Sequence, residues 1–403
     1  MRLTNVVLTA CFVSLLSCAA GQSLIGPGND AAVALADRSP LVQSARRFLE
    51  TQAGLIRDVK LREATLDAIS NQATCVTHRA GLNAAKQTII LKRLLDLGLV
   101  ESADDKTFPN GLRAGMFPPL VDDGAACPKL PQPFYSAPGS SFGGHHSYPG
   151  GLMLHEAFNE ISALNLAEGY RRVYGSSGAN GFPAVGSAQS RDEDASDVFI
   201  SQDILIAAPI WHDWAKAFVF QWNSDGTEFQ ELNFGGTGAA KTGAHHILGI
   251  AEAIKRGLPP DFVFALASAH STIEERVIGW IQTAAIIAEV DPIARGYLHH
   301  HNANRPISNR LVESFLHNLS DADFTFTGPA MADVQKILSE LAPKYGFNAA
   351  EVATYNNGFR NVVLSYFSAE RLLMIYGNSG LDGVTAEIEK IRPLLRRPAQ
   401  SNR

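Results

Sequence analysis

The chain has 403 residues, 46% of them hydrophobic and 18% charged, which supports a large core and excludes a disordered or collagen-like protein. Its net charge of −6, from 34 basic and 40 acidic residues, comes without a basic run and argues against a duplex-binding surface. Two counts stand out: only 4 cysteines, and 12 histidines, ten of which fall between His145 and His301.

The N-terminus reads as a secretory signal. Arg2 precedes an apolar run over residues 6–16 and then Ser17, Cys18, Ala19, Ala20 and Gly21, a stretch too short for a membrane span. Residues 1–20 are therefore expected to be a signal peptide. Leu15-Leu16-Ser17-Cys18 resembles a bacterial lipobox, which would make Cys18 a lipid anchor, and cleavage near Ala19 or Ala20 is the alternative. Either route removes Cys11 and leaves Cys75 and Cys127 as the remaining pair. In an oxidising compartment that pair is expected to be bridged, with two free thiols as the alternative reading. The expected location is the bacterial periplasm, free or lipid-anchored.

Residues 22–101 read as helical. Segments 41–56 and 59–69 mix apolar and charged residues with few breakers, and Ile89, Ile90, Leu91, Leu94, Leu95 and Leu97 follow helical spacing up to Gly98, a stop signal. Residues 109–149 hold 8 of the 20 prolines and read as a long irregular segment shaping a pocket mouth. Helix resumes over 151–174, followed by a Gly/Ser/Asp-rich loop to 196. Another helix is expected over 203–218, kinked at Pro209. Two β-prone pieces, 217–222 and 228–232, flank Asn223-Ser224-Asp225-Gly226 and predict a small hairpin. Helices follow over 245–256 and 260–269. The next begins with a capping box at Ser271/Glu274 or Thr272/Glu275 and carries an apolar stripe of Val277, Ile281, Ala284 and Ala288 that ends at Asp291. A last clear helix carries Val384, Ile388, Ile391 and Leu395. The fold class is all-α: an N-terminal helical region (21–140), a central core (141–300) and a C-terminal helical region (301–403).

An isolated histidine is usually a surface or core residue, and His78, His317 and the run His299-His300-His301 are read that way. His212 and Asp213 differ, because they sit in an apolar run where unpartnered polar groups would cost several kcal/mol, about 2–7 each. His155 follows Gly151-Leu152-Met153-Leu154 and should point inward. His246 shares a face with Gly249, Ile250 and Ala253, and His270 ends an apolar helix. Four inward histidines and two inward aspartates form a set suited to two divalent ions, Fe, Mn, Zn, Co or Mg, with a carboxylate able to bridge the pair.

The ordered set His155 … His212-Asp213 … His246 … His270 … Asp291 resembles the H…HD…H…H…D signature of the HD-domain metal-dependent phosphohydrolase superfamily. HHSYPGGLMLHEAF is similar to the HH-[AS]-[YF]-x-GGL-x-x-H segment of HD domains in bacterial 3′-to-5′ exoribonucleases, and IAAPIWHDWAKAFVFQW to their HD-x-x-K segment. The likeness covers residues 141–295. It implies a helical HD bundle in which His155, His212, Asp213 and Asp291 surround one metal and Asp213 bridges to a second held by His246 and His270. Lys216, on the same helical side as His212 and Asp213, is the expected phosphate contact, and His146 and Tyr148 are candidate substrate contacts. Glu156 is read as the sequence neighbour of a ligand, with orienting an imidazole as the alternative. The chain departs from the pattern at Ala269, where the family often has a second histidine, and at Trp214-Ala215. No nucleic-acid-binding module of OB type precedes the core, so the expected substrate is a small phosphate ester or nucleotide, with no nucleic acid and no membrane contact beyond the Cys18 anchor. A di-iron oxygenase on the same scaffold, as in the inositol-oxygenase branch, and a non-catalytic metal-binding protein are the alternatives.

Overall fold

The structure, a computed structural model, describes residues 24–174, 200–299 and 311–396. The expected signal segment with Cys11 and Cys18, the Gly/Ser/Asp-rich loop, and His300 and His301 lie outside these residues. Four helices lead: α1 (Asn29–Arg38), α2 (Pro40–Ala53), α3 (Val59–Ser70) and α4 (Ala84–Asp96). Two short helices, α5 (Asp104–Thr107) and α6 (Gly111–Met116), open the proline-rich segment. The centre holds α7 (Gly151–Tyr174), α8 (Gln202–His212), α9 (Lys216–Val219), α10 (Ala244–Lys255), α11 (Pro260–Ala267) and α12 (Glu274–Ile287). The C-terminal part is α13 (Val312–Ser320), α14 (Phe324–Leu341), α15 (Val352–Tyr355), α16 (Asn361–Phe367) and α17 (Ala369–Lys390). Among the described residues the one sheet pairs β1 (Asn233–Phe234) with β2 (Thr242–Gly243), antiparallel. The molecule is all-α with a minimal β element.

The helix boundaries have local causes. Ser39 caps α2 by accepting from the Val42 N–H, and Pro40 occupies the first turn, where no backbone donor is needed. Asp58 and Asn83 cap α3 and α4 in the same way. Gly98, in the left-handed region, lets the Leu99 N–H return to the Leu94 carbonyl and ends α4.

Three local expectations are corrected. The arms of the expected 217–222/228–232 hairpin meet through a single bridge between Trp222 and Glu228. Residues Lys216–Val219 instead wind into α9, because the turn after Asp213 continues in helical bonds such as Lys216 N–H to Asp213 O (2.8 Å). The capping box before α12 does not form; the residue ahead of the helix is Ile273, which lends no side-chain bond. The stripe Val277, Ile281, Ala284 and Ala288 is buried as expected, yet Asp291 is not on it. The helix ends at Ile287, Glu289 takes a positive φ of 54°, and the chain turns away.

The main core runs from α2 to α12 and includes Trp211, Trp214, Phe218, Phe262, Phe264 and Ile281. A second core joins α14, α16 and α17 to Leu35 and Tyr148. The disulfide Cys75–Cys127 ties the proline-rich segment to the stretch after α3, where Cys75 also bridges to Lys129. Among the described residues, no helix is long and apolar enough to cross a membrane.

Candidate metal centre

Five helices and the turns that follow them bring the chemistry together. α7 packs on α8 and on α13, and α8 packs on α10 and α11. His155 lies at the start of α7, His212 and Asp213 at the end of α8, His245 in the first turn of α10, His270 just past α11, and Asp321 directly after α13. The His212–Asp213 corner is anchored from behind by its tryptophans. The Trp211 indole donates to Thr65 Oγ1 (3.0 Å) and that of Trp214 to the Ala68 carbonyl (3.1 Å), both on α3. The apolar run of α8 thus places a polar corner deep inside, with His212 and Asp213 fully buried.

The Nε2 atoms of four histidines converge on two carboxylates. His155 Nε2 lies 3.3 Å from Asp213 Oδ2 and 3.2 Å from Asp321 Oδ1. His212 Nε2 lies 3.4 Å from Asp213 Oδ1 and 3.2 Å from Asp321 Oδ1. His245 Nε2 is 3.1 Å from Asp213 Oδ1, and His270 Nε2 is 3.6 Å from Asp321 Oδ2. In each ring the other nitrogen is held elsewhere. His155 Nδ1 faces Asp323 Oδ1 (3.1 Å), His212 Nδ1 faces the Pro209 carbonyl (2.6 Å), His245 Nδ1 faces Glu231 Oε1 (2.5 Å) and His270 Nδ1 faces Thr242 Oγ1 (2.9 Å). Pro209 O is free for this because it lies in the last turn of α8, where carbonyls have no intrahelical partner. Outer partners on Nδ1 fix ring orientation and leave Nε2 as the ligand atom, the usual arrangement around a bound metal. His212 Nε2, His245 Nε2 and Asp213 Oδ1 lack a well-formed hydrogen bond although buried, a cost that a shared cation would remove. The donors fall into two overlapping groups within 4.8 Å: His212, His270 and Asp321, and Asp213, His245 and His270. His155, Glu156, His212 and Asp213 form a third such group. These residues fit a pair of divalent ions.

The electrostatics follow from burial. Both aspartates are held well below the usual carboxylate range; burial works against this, but His212 and the neighbouring cationic groups outweigh it. Burial would lower His212, yet Asp213, Glu156 and Asp321 push it up to about 9. His155 and His245 rise for the same kind of reason. His270, with burial dominant, falls to about 4. Without a metal the cluster therefore keeps protons on several imidazoles to balance two buried carboxylates.

Of the residues expected from sequence, His155, His212, Asp213 and His270 meet at this cluster. His246 does not. It is buried one layer out, Nδ1 by Thr242 Oγ1 (3.2 Å) and Nε2 by the Leu266 carbonyl (3.4 Å), and its neighbour His245 takes the inward place. α10 is buried on nearly every side from Ala244 to Ile254, so apolar spacing does not distinguish one histidine of the doublet from the other. Asp291 is exposed in the turn after α12, its Oδ1 accepting from the Ile293 and Ala294 N–H groups (2.9 and 3.1 Å), and Asp321 occupies the cluster instead. Lys216 is buried, its ammonium contacting the Asp213 carboxylate and the Gly139 carbonyl. His146 is buried beside His155, their ring centroids 5.4 Å apart. Tyr148 belongs to the C-terminal core and does not line the cluster.

Sequence reasoning missed His245, Asp321, Asp323, Glu231 and the buried His317, whose ring lies 5.0 Å from that of His212. The available signal was the spacing of His317 and Asp321, four apart at the end of an amphipathic segment, where they share a helical side. At the edge of the cluster the His270 side chain is 26% exposed, His145 is half-buried, and the half-exposed Phe324 stands near His145. Comparison of the chain with family models, with curated proteins and with solved structures gave no match.

Proposed function

We propose that this protein is an exported metal-dependent hydrolase of the HD type that cleaves a small phosphate ester or nucleotide at a two-metal site. One observation carries the reading: four imidazole Nε2 atoms converge on two buried aspartates while each Nδ1 is held by an outer partner. His155, His212, Asp213 and Asp321 would hold one ion, and Asp213, His245 and His270 a second. When bound, such a pair lowers the pKa of a coordinated water and screens the charge developing on a phosphoryl group.

The chain's own groups support this use. Asp213 faces His155, His212 and His245, the place of a bridging ligand. Lys216 pins the Asp213 carboxylate against the loop at Gly139, so it acts first as a positioning residue. The partly exposed His270 and His145 mark the side from which substrate would enter, while Trp211, Trp214 and the α8 core are buried on the other. The Cys75–Cys127 disulfide supports an exported protein, since such bridges persist in oxidising compartments.

The test is a phosphoesterase panel with Mn, Fe, Co, Zn and Mg supplied in turn, Asp213→Ala serving as the blank, with metal content and oxygen uptake followed alongside. Phosphate release by the wild type alone is expected. Oxygen consumption without phosphate release would transfer the site to the oxygenase class. A metal content near zero after purification without chelators would remove the basis of the proposal.

A further inference from the structure

His246 lies outside the two-ion cluster, yet it is fully buried and both its nitrogens are engaged. Packing fixes its ring: it stands edge-on to Trp280, centroids 5.0 Å apart, and 4.4 Å from the ring of His270. Trp280 is held in turn by its indole N–H, which donates to the Ala240 carbonyl (2.8 Å). Between the two imidazoles sits the Thr242 hydroxyl, 3.2 Å from His246 Nδ1 and 2.9 Å from His270 Nδ1. The small sheet places it there, since β2 pairs Thr242 with Phe234 just ahead of α10.

The donors and acceptors of these groups allow one direction through them. The Leu266 carbonyl, 3.4 Å from His246 Nε2, can only accept, so Nε2 carries the hydrogen. Both partners of His246 are uncharged and its ring has no exposed surface, so a second proton would be a buried charge without a counter-ion. Nδ1 is then an acceptor, and the Thr242 O–H donates to it. The hydroxyl has no further hydrogen, so toward His270 it offers a lone pair and receives the Nδ1–H of that ring. The His270 proton is thereby kept on Nδ1, and Nε2, 3.6 Å from Asp321 Oδ2, faces the cluster as the ligand atom. The reverse direction would set the His246 Nε2 lone pair against the Leu266 carbonyl oxygen, leaving a buried polar pair unbonded.

The other three histidines of the cluster need no such arrangement. Their Nδ1 atoms face Asp323, the Pro209 carbonyl and Glu231, which accept by nature. A hydroxyl can give or receive, so Thr242 alone would not decide which nitrogen of His270 holds the proton.

We infer that His246 is a positioning residue: through the Thr242 hydroxyl it locks the tautomer in which His270 Nε2 can take a divalent ion. This deepens the two-ion reading above and rests on it.

The experiment reads imidazole tautomers by ¹⁵N NMR in the chelator-treated full chain, then titrates that chain with Zn²⁺ alone by calorimetry. Before zinc is added, His246 is expected as the Nε2–H tautomer and His270 with its hydrogen on Nδ1. Thr242→Val, which removes the hydroxyl and keeps the shape, should weaken one of the two zinc-binding steps by about 10–100-fold and leave the other as in wild type. Thr242→Ser, which keeps the hydroxyl, should restore that step. His246→Phe, which keeps a ring against Trp280, should weaken the same step and release the fixed tautomer of His270. Circular-dichroism melts establish that each variant is folded. An Nδ1–H tautomer at His246 overturns the relay. So does a Thr242→Val protein that binds zinc as wild type does, or one that loses both steps equally, which assigns Thr242 to the fold alone. A wild type that binds no zinc overturns the two-ion reading and with it the ligand role of His270; the tautomers, read without metal, tell that failure from failure of the relay.

Discussion

A carboxylate that faces imidazole nitrogens has a different task from one that caps a turn. Asp321 Oδ1 sits 3.2 Å from both His155 Nε2 and His212 Nε2, and Asn159, one turn beyond His155, donates toward the same oxygen (3.4 Å). Removing its charge leaves buried imidazoles without their counter-ion. Asp321→Asn is therefore expected to lower divalent-metal affinity by about tenfold or more, the scale seen when a site's supporting groups are lost. Asp291→Asn, which alters a turn on the surface, should leave binding as in wild type. Isothermal titration of the two variants with Mn²⁺ decides between them, and equal losses would contradict the assignment of Asp321.

The disulfide does its work on elements. Cys75 opens a segment whose Thr77 and His78 N–H groups both donate to Glu252 (2.9 Å each), and the His78 ring adds a third bond to the same carboxylate (2.8 Å). Glu252 lies two turns along α10 from His245, and Arg256, one turn further, reaches back to the Cys75 carbonyl (2.8 Å). The bridge therefore stabilises the strap that holds α10 against the rest of the core. It closes a loop of 52 residues, for which chain-entropy arguments give about 4 kcal/mol. Cys75→Ser/Cys127→Ser is expected to lower Tm markedly while keeping helical content. Intact mass with and without reduction should show one bridge in the wild type, and two alkylatable thiols in the native protein would contradict it.

At the scale of the whole molecule, the centre couples metal, proton and stability. With the folded His212 at about 9 and its unfolded reference near 6.5, the proton it holds stabilises the metal-free fold fully below pH 6.5. That contribution is lost as pH rises through about 9. A metal ion competes with the same proton, so its affinity rises over the same window. The Tm gap between metal-loaded and chelated protein should therefore widen from pH 6.5 to pH 9; at a free metal concentration of 100 times Kd, binding contributes about 2.7 kcal/mol. Thermal melts at both pH values, with and without chelator, make the comparison. A gap that narrows with pH would place the protons elsewhere.

Much of this architecture was legible in the residues alone, and the division has a physical cause. Helices close their bonds within a few residues, so caps such as Ser39, stops such as Gly98 and apolar spacing determined the all-α class and most boundaries. The polar insertion His212-Asp213 in an apolar run identified itself, because burial without partners is costly. The disulfide pair followed from the shortage of cysteines. What remained hidden was decided by contact between distant segments. Whether His245 or His246 turns inward depends on how α10 is rotated against α8 and α12, and a helix buried all round carries no apolar stripe that records it. The last aspartate depends on where α13 is packed, some thirty residues beyond the stripe that pointed to Asp291. Local bonding wrote the helices into the sequence; only tertiary packing decided which carboxylates and which imidazole of a doublet would share one buried space.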